Sequence, residues 1–298
     1  MLIHTRCPLD GADDADVDVY PANFDIERVT PEIFSARRVP DRMHYRMVRN
    51  TRTGCLRANP ILDTDTILAL YRASKVTDES VEALAAETYG RYLHRAMPLI
   101  SDRRAAMEIG CSHGAFLEKL VEAAFSRVVG IEPSADAVLK ADPRVRSCII
   151  HEPLRPGAFE PESFSLVCGF QVLDHLTDPN EVLEAAREIL VPGGVMYWIC
   201  HDVGSLFARL LGERCPMIDI EHVVLYDRKT LARLFERNGF ITVEVFGVRN
   251  AYPLDYWARL APLPGMVKRV LRSLLKSSGA GRWQLAANFG NMGIIARK

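Results

Sequence analysis

The 298 residues carry 37 basic against 38 acidic side chains and are 48% apolar. That apolar fraction suffices for a packed core and excludes a mainly disordered chain. A net charge of −1 excludes a dedicated nucleic-acid binder, which needs a basic surplus. No apolar run nears the ~20 residues of a membrane span, and the acidic start MLIHTRCPLDGADDAD lacks a signal peptide's apolar stretch. The seven cysteines form no C-x-x-C pair and read as reduced thiols. The sequence therefore predicts a cytoplasmic protein with no stable membrane insertion.

Charge is unevenly spread. Residues 1–20 set one arginine against five aspartates, whereas residues 249–298 hold nine basic side chains and only Asp255. Three sections follow: an irregular segment over 1–62, a helical linker or cap over 63–100, and an alternation of strands and helices over 101–298.

In that alternation, the apolar run Ala105–Ile109 ends in Gly110 and leads into the helix-like AFLEKLVEAAF of 115–125. Arg127–Glu132 is a second strand, with Ser134 placed to cap a short helix. Ser147–His151 and Phe164–Phe170 are the third and fourth. Asp178-Pro179-Asn180-Glu181 predicts a capped helix with proline in its first turn, running to about Leu190 and stopped by Pro192-Gly193-Gly194. Val195–Cys200 is the fifth strand, Asp227 opens another helix that stops at Asn238-Gly239, and Ile241–Val248 is the sixth. Met292–Ala296 closes the chain as the seventh, after an insertion over 249–290. Strands apolar on both faces, separated by amphipathic helices, predict a doubly wound, mostly parallel, Rossmann-like α/β sheet of seven strands. The same pattern places a lid segment in front of it and a helical insertion before the last strand.

The turn after the first strand reads Glu108-Ile109-Gly110-Cys111-Ser112-His113-Gly114. Glycines here let a ligand approach the backbone, and the following helix offers free N–H groups. The second strand ends in Glu132, a carboxylate suited to two ribose hydroxyls. The turn is not G-x-G-x-x-G, and an acid two residues before the first glycine suits an ammonium group, which an amino-acid moiety has and a dinucleotide lacks.

On these residues the chain resembles the class I S-adenosylmethionine-dependent methyltransferases. Their E/D-x-G-x-G-x-G turn matches residues 108–114, with Ser112 in place of the middle glycine. Gly130–Ser134 (GIEPS), Gln171–Leu176 (QVLDHL) with Asp178-Pro179, and Leu190–Gly194 (LVPGG) match three further family segments in order. The resemblance implies S-adenosylmethionine, or its product S-adenosylhomocysteine, as cofactor, with no metal. It implies Glu108, Gly110, Cys111 and Gly114 beside the methionine part, Glu132 and Pro133 at the ribose, Glu152 at the adenine, and Phe170 and Gln171 beside the adenosine and sulfonium.

The first 60 residues resemble the zinc-ribbon front of a subgroup that includes sugar C-methyltransferases and other natural-product tailoring enzymes. Three of the four ligand positions are altered: Cys7 is kept, whereas Asp10, Asn50 and Thr53 stand for cysteines. The expectation is a zinc-free segment that persists as a lid. Arg37, Arg38, Arg42, His44, Tyr45 and Arg46 cluster here, either as a solvated basic face or as a contact for an anionic or aromatic substrate.

For chemistry, the Glu221-His222 pair resembles a segment of that subgroup in which the histidine is the proposed base. His222 is thus the expected base, with Glu221 or Asp219 orienting it; the competing assignment is a core histidine. His175, His201, Tyr20 and Tyr226 are weaker substrate contacts, and His113 reads as a loop residue beside the cofactor. In the insertion, Val267, Val270, Leu271, Leu274 and Leu275 make an apolar stripe flanked by Lys268, Arg269, Arg272 and Lys276. Such a helix packs on its own domain, on a second subunit, or on a membrane surface. The function expected is methyl transfer to an O, N or C nucleophile of a small molecule, in natural-product or sugar tailoring. A methyltransferase-fold cyclase, for example one forming a cyclopropane, and a non-catalytic cofactor-binding partner are the alternatives. A nicotinamide oxidoreductase is weaker, and a homodimer is left open.

Overall fold

The computed structural model describes residues 1–25, 28–35 and 42–298. Its centre is a seven-stranded sheet: β1 (Ala105–Ile109), β2 (Arg127–Ile131), β3 (Ile149–Ile150), β4 (Phe164–Phe170), β5 (Leu190–His201), β6 (Ile241–Gly247) and β7 (Asn291–Arg297). The order across the sheet is β6-β7-β5-β4-β1-β2-β3, with only β7 running against its neighbours. Every residue of β1 and of β4 is buried, which is why both read as unbroken apolar runs rather than alternating ones. The doubly wound α/β fold expected from the sequence is the fold observed.

Two expected boundaries move. The Pro179–Ile189 helix ends where expected, but β5 starts at Leu190 rather than Val195; the Pro-Gly-Gly is a bulge where the β4 register jumps from Leu190 to Val195. The third strand shrinks to two residues. The caps hold: Ser134 Oγ accepts from Ala137 N–H, and Asp178 accepts from the N–H groups of Asn180 and Glu181. Asp227 and Thr230 form a reciprocal capping box.

In front of the sheet, Asp16–Tyr20, Met47–Asn50 and Leu56–Ala58 form antiparallel strands, and Val224–Leu225 from beyond β5 adds a fourth. The Arg57 guanidinium, fully buried, grips Asp16 through both terminal nitrogens, at 2.7 and 2.5 Å. The four zinc-ribbon positions converge. Cys7 Sγ lies 3.3 Å from Thr53 Oγ1, and Asn50 Nδ2 donates to Asp10 at 3.2 Å. Asn50 Oδ1 accepts from Thr53 N–H at 3.0 Å. Hydrogen bonds thus close the knuckle. Cys55 beside it is the largest of the influences that lower the Cys7 thiol to about 6. Of the basic cluster, Arg37 and Arg38 lie outside the described residues. His44 is buried against Tyr45 O and Glu213, tying the front segment to the stretch beyond β5, and Arg46 pairs with Asp18 within the segment itself.

The insertion before β7 is not purely helical. Asn250–Pro253 pairs with Gln284–Ala287, and between them sit the helices Leu254–Leu260 and Gly265–Ser277. Prolines 253 and 264 stand immediately before those two helices.

Candidate active site

A cavity of about 1260 Å³ lies over the C-terminal ends of β1, β2, β4 and β5. This is the ligand edge of an open α/β sheet, and the volume exceeds the ~300–1,000 Å³ of ordinary small-molecule pockets. The 64–73 and 79–93 helices wall one side through Tyr71, Glu82 and Tyr89, and the insertion roofs it through Tyr252, Trp257 and Leu271. Of the described residues in 1–62, only Phe34 reaches the wall. Among the described residues, the lid over this cavity is therefore chiefly the 63–93 region and the insertion.

One end of the cavity is acidic. Gly110 has φ 71° and its missing Cβ would meet Val172 at 3.0 Å, so only glycine fits the turn that presents the following backbone. Ser112 adopts φ 47° where the family has glycine, a strained state for a serine. Its N–H donates to Glu132 Oε2 at 2.8 Å, and Ser134 N–H donates to Oε1 at 2.7 Å. Burial pushes the Glu132 carboxyl up to about 7 against these two N–H groups. Glu108, wholly buried, is raised well above the usual carboxylate range by burial and by the carboxylates of Glu132 and Glu82. Glu82 in turn holds His113 Nδ1 at 2.7 Å, tying the 79–93 helix to the glycine turn. Phe170 stacks on Tyr89, with centroids 4.8 Å apart, and meets Phe116 edge-on. Gln171 Nε2 donates to Asn291 Oδ1 at 2.7 Å.

The other end holds three imidazoles around one aspartate. Leu173–His175 is a single 3-10 turn after β4, and it drops the Asp174 carboxylate to full burial. Asp174 Oδ2 accepts from His201 Nδ1, at the end of β5. Asp174 Oδ1 has no hydrogen bond among the described residues. The His222 ring lies 4.7 Å from that of His175 and 4.6 Å from that of His201. His222 Nδ1 is 2.9 Å from Met217 O, and the Asp174 carbonyl accepts from Val223 N–H, fixing the 219–226 segment against this turn. Tyr71 OH is 2.6 Å from His175 Nδ1. Burial would raise the Asp174 carboxyl, but His201, His175 and His222 hold it far below the usual carboxylate range. Burial, with the other two imidazoles, pushes His222 well below an ordinary histidine. Asp174, His175 and His222 together offer three ligand atoms within 4.8 Å.

Most of the expected site residues meet here. Glu108, Gly110, Cys111, Glu132, Pro133, Phe170, Gln171, His175, His201, Asp219, Glu221 and His222 all border the cavity. Four do not. Glu152 is exposed and paired with Arg72 at 3.1 Å, because β3 ends at Ile150 and the chain turns outward. Tyr20 packs near His44 in the front sheet. Tyr226 is fully buried in the core under β5, next to an isolated bridge to Asp202. Gly114 faces Val145, Ile149 and Leu117 behind the turn. Sequence reasoning missed Asp174, Tyr71, Glu82 and Asn291. Only Asp174 carried a signal, as the acid preceding His175 in a matched segment.

The profile of a family described as a methyltransferase domain matches residues 81–245, more than half the chain. The chain belongs to that family. Among its relatives is a ubiquinone biosynthesis O-methyltransferase of Nitrobacter winogradskyi, 25% identical over 163 residues, covering 51% of this chain and 62% of that protein. Another is the C-methyltransferase NovU of Streptomyces niveus, 29% identical over 156 residues, covering 49% and 35%. The chain thus spans less than two thirds of the length of these relatives. A solved structure of a SAM-dependent methyltransferase from Archaeoglobus fulgidus aligns with a TM-score of 0.49 at 20% identity, covering 72% of this chain and 94% of that one.

The chain's place among methyltransferases, with the class I motifs of residues 108–114, 130–134 and 190–194, points to S-adenosylmethionine as cofactor, and the acidic end fits it. Glu108 Oε2, Ser112 Oγ and Gln171 Oε1 are buried polar atoms on this stretch of wall with no hydrogen-bond partner among the described residues. Buried polar groups left without partners are costly. An ammonium, a carboxylate and ribose hydroxyls are groups that satisfy such atoms.

Proposed function

We propose that this methyltransferase transfers a methyl group to a small-molecule nucleophile that must lose a proton, such as a phenol or an enolisable C–H. The observation that carries this proposal is the pairing of two unlike ends in one cavity: three carboxylates around a glycine turn, and an Asp174–His201 pair with two further imidazoles. Bound S-adenosylmethionine supplies an electrophilic methyl carbon on its sulfonium. Glu108 and Glu82 favour its ammonium group, Glu132 accepts from its ribose, and Phe170 with Gln171 flanks its adenosine.

The chain's own residues then position the acceptor and take its proton. His201 is the base in this proposal, in place of the His222 singled out by sequence. Its Nδ1–H is held by the Asp174 carboxylate, which leaves Nε2 as the acceptor atom, the arrangement by which a carboxylate fixes the tautomer of a catalytic imidazole. His222, buried and held neutral, is a positioning residue that packs against both neighbouring rings. Asp219 O accepts from His222 N–H across the tight turn that carries it, and Glu221 Oε2 lies 4.0 Å from His175 Nδ1. Placing the nucleophile against an activated carbon supplies much of the rate, and the base a further ~10²–10⁴-fold.

The relatives named above include one O- and one C-methyltransferase, which supports a small acceptor without choosing its atom. The test is to incubate the protein with methyl-labelled S-adenosylmethionine and a panel of phenols and enolisable ketones. The proposal expects label in at least one product and its loss in His201→Asn with cofactor binding intact. Label transfer unchanged in His201→Asn contradicts the base assignment.

A further inference from the structure

The Gly265–Ser277 helix has no buried residue, although it carries an apolar stripe along one side. Its Leu271 and Leu275 are half-buried and line the cavity. The rest of the stripe faces outward: Val267, Val270 and Leu274 are 49%, 56% and 62% exposed, and Met266 is 71% exposed. The spacing i, i+3, i+7 puts Val267, Val270 and Leu274 on one face. Of the three expected partners, its own domain therefore covers only part of the stripe, and a second subunit or a membrane surface is left for the rest.

Around this face the charge has one sign. Arg272 is paired with Asp255 at 2.8 Å, whereas Arg269 and Lys276 are exposed and make no ion pair among the described residues. From 249 to 290 the insertion holds seven basic side chains and Asp255 as its only acid. Trp283, just beyond the helix, is 69% exposed, a residue type favoured where apolar and aqueous phases meet.

We propose that the Gly265–Ser277 helix docks on an anionic lipid surface, lying in the plane of the interface. Apolar residues bounded by lysine and arginine are the composition of interfacial helices, and each basic residue near an anionic leaflet adds attraction. A second copy of this chain is a poorer occupant. An isologous contact would set this cationic face against itself, and Asp255, the insertion's only acid, is already engaged by Arg272. No helix among the described residues is long and apolar enough to cross a membrane, so the proposal is docking, not spanning. The helix also lines the cavity with Leu271 and Leu275 while its opposite face is exposed, so docking would bring this wall of the cavity against the lipid. This proposal does not depend on the assignment of the base.

The test is co-sedimentation of the full chain with vesicles of phosphatidylcholine alone or mixed with phosphatidylglycerol. The expected result is binding only to the anionic vesicles, released by raised salt. Val270→Asp with Leu274→Asp abolishes it, and Arg269→Glu with Lys276→Glu lowers it at least about tenfold. Unchanged binding of S-adenosylhomocysteine in both double variants shows that they fold. Equal binding to neutral vesicles, no binding to either, or anionic binding untouched by the variants overturns the proposal. So does a concentration-dependent dimer that Val270→Asp with Leu274→Asp dissociates while vesicle binding is absent.

Discussion

The Asp174 carboxylate, fully buried, accepts the Nδ1 hydrogen of His201, a residue 27 positions later at the end of the neighbouring strand. The pair exists because β4 and β5 are adjacent and parallel, so their C-terminal ends open on the same edge. One 3-10 turn after β4 then swings Asp174 back under β5. His175 and His222 complete the cluster from that same turn and from the 219–226 segment hydrogen-bonded to it.

With His201 as base and Asp174 as its anchor, His201→Asn and Asp174→Asn each lower labelled methyl transfer by about 10²–10⁴-fold. The dissociation constant for S-adenosylhomocysteine stays within a few-fold of wild type in both. His222→Asn lowers transfer less than His201→Asn does. Single-turnover transfer beside calorimetric binding checks all three.

The acidic end predicts a pH dependence of stability in the ligand-free protein. Burial raises the folded-state Glu132 carboxyl from 4.5 to about 7. A group with a raised folded-state value stabilises while protonated, so its contribution is full below about 4.5 and is lost as pH rises through about 7. Glu108, raised in the same direction, extends the loss to higher pH. The melting temperature of ligand-free protein should therefore fall more steeply from pH 5 to 7.5 than that of Glu132→Gln, as scanning calorimetry can show.

In the front segment, Arg57 and Asp16 are a buried, two-point ion pair. Removing one partner leaves an uncompensated buried charge, at a cost of about 3–5 kcal/mol. Asp16→Ala should lower the urea midpoint accordingly, whereas the exposed Arg46–Asp18 pair, tested as Asp18→Ala, should shift it little.

The convergence of Cys7, Asp10, Asn50 and Thr53 predicts that their hydrogen bonds stand where metal bonds would close the knuckle. The triple variant Asp10→Cys, Asn50→Cys, Thr53→Cys should bind zinc stoichiometrically and melt at a higher temperature with zinc than with chelator. Metal analysis after gel filtration decides it.

Much of this architecture was legible because burial on both faces leaves a plain mark. Ala105–Ile109 and Phe164–Phe170 are continuous apolar runs, and their bounds match the observed strands. The glycine turn and Glu132 were legible for a related reason: positive φ and a strand-end acid restrict residue type. The places of Glu152, Tyr20 and Tyr226 differ from those expected, since the direction of a side chain after a short strand, in the front sheet or in the core is set by tertiary contacts. Glu152 turns outward to Arg72, 80 residues away. Glu82 and Tyr71 were invisible because helices remote in sequence deliver them to the turn and to His175. The Asn250–Pro253 and Gln284–Ala287 pair left no mark in the sequence because a proline and three alanines carry weak strand propensity.

Every functional step proposed above requires the turn at 108–114 and Glu132 to hold S-adenosylmethionine at one end of the cavity. The decisive measurement is titration calorimetry of S-adenosylhomocysteine into wild type and Glu132→Ala, with melting temperatures taken for both. One ligand per chain should bind wild type. A still-folded Glu132→Ala should bind at least about tenfold more weakly, the loss of a buried hydrogen bond to a charged group. No heat of binding with wild type, or equal affinity in both proteins, would contradict this assignment.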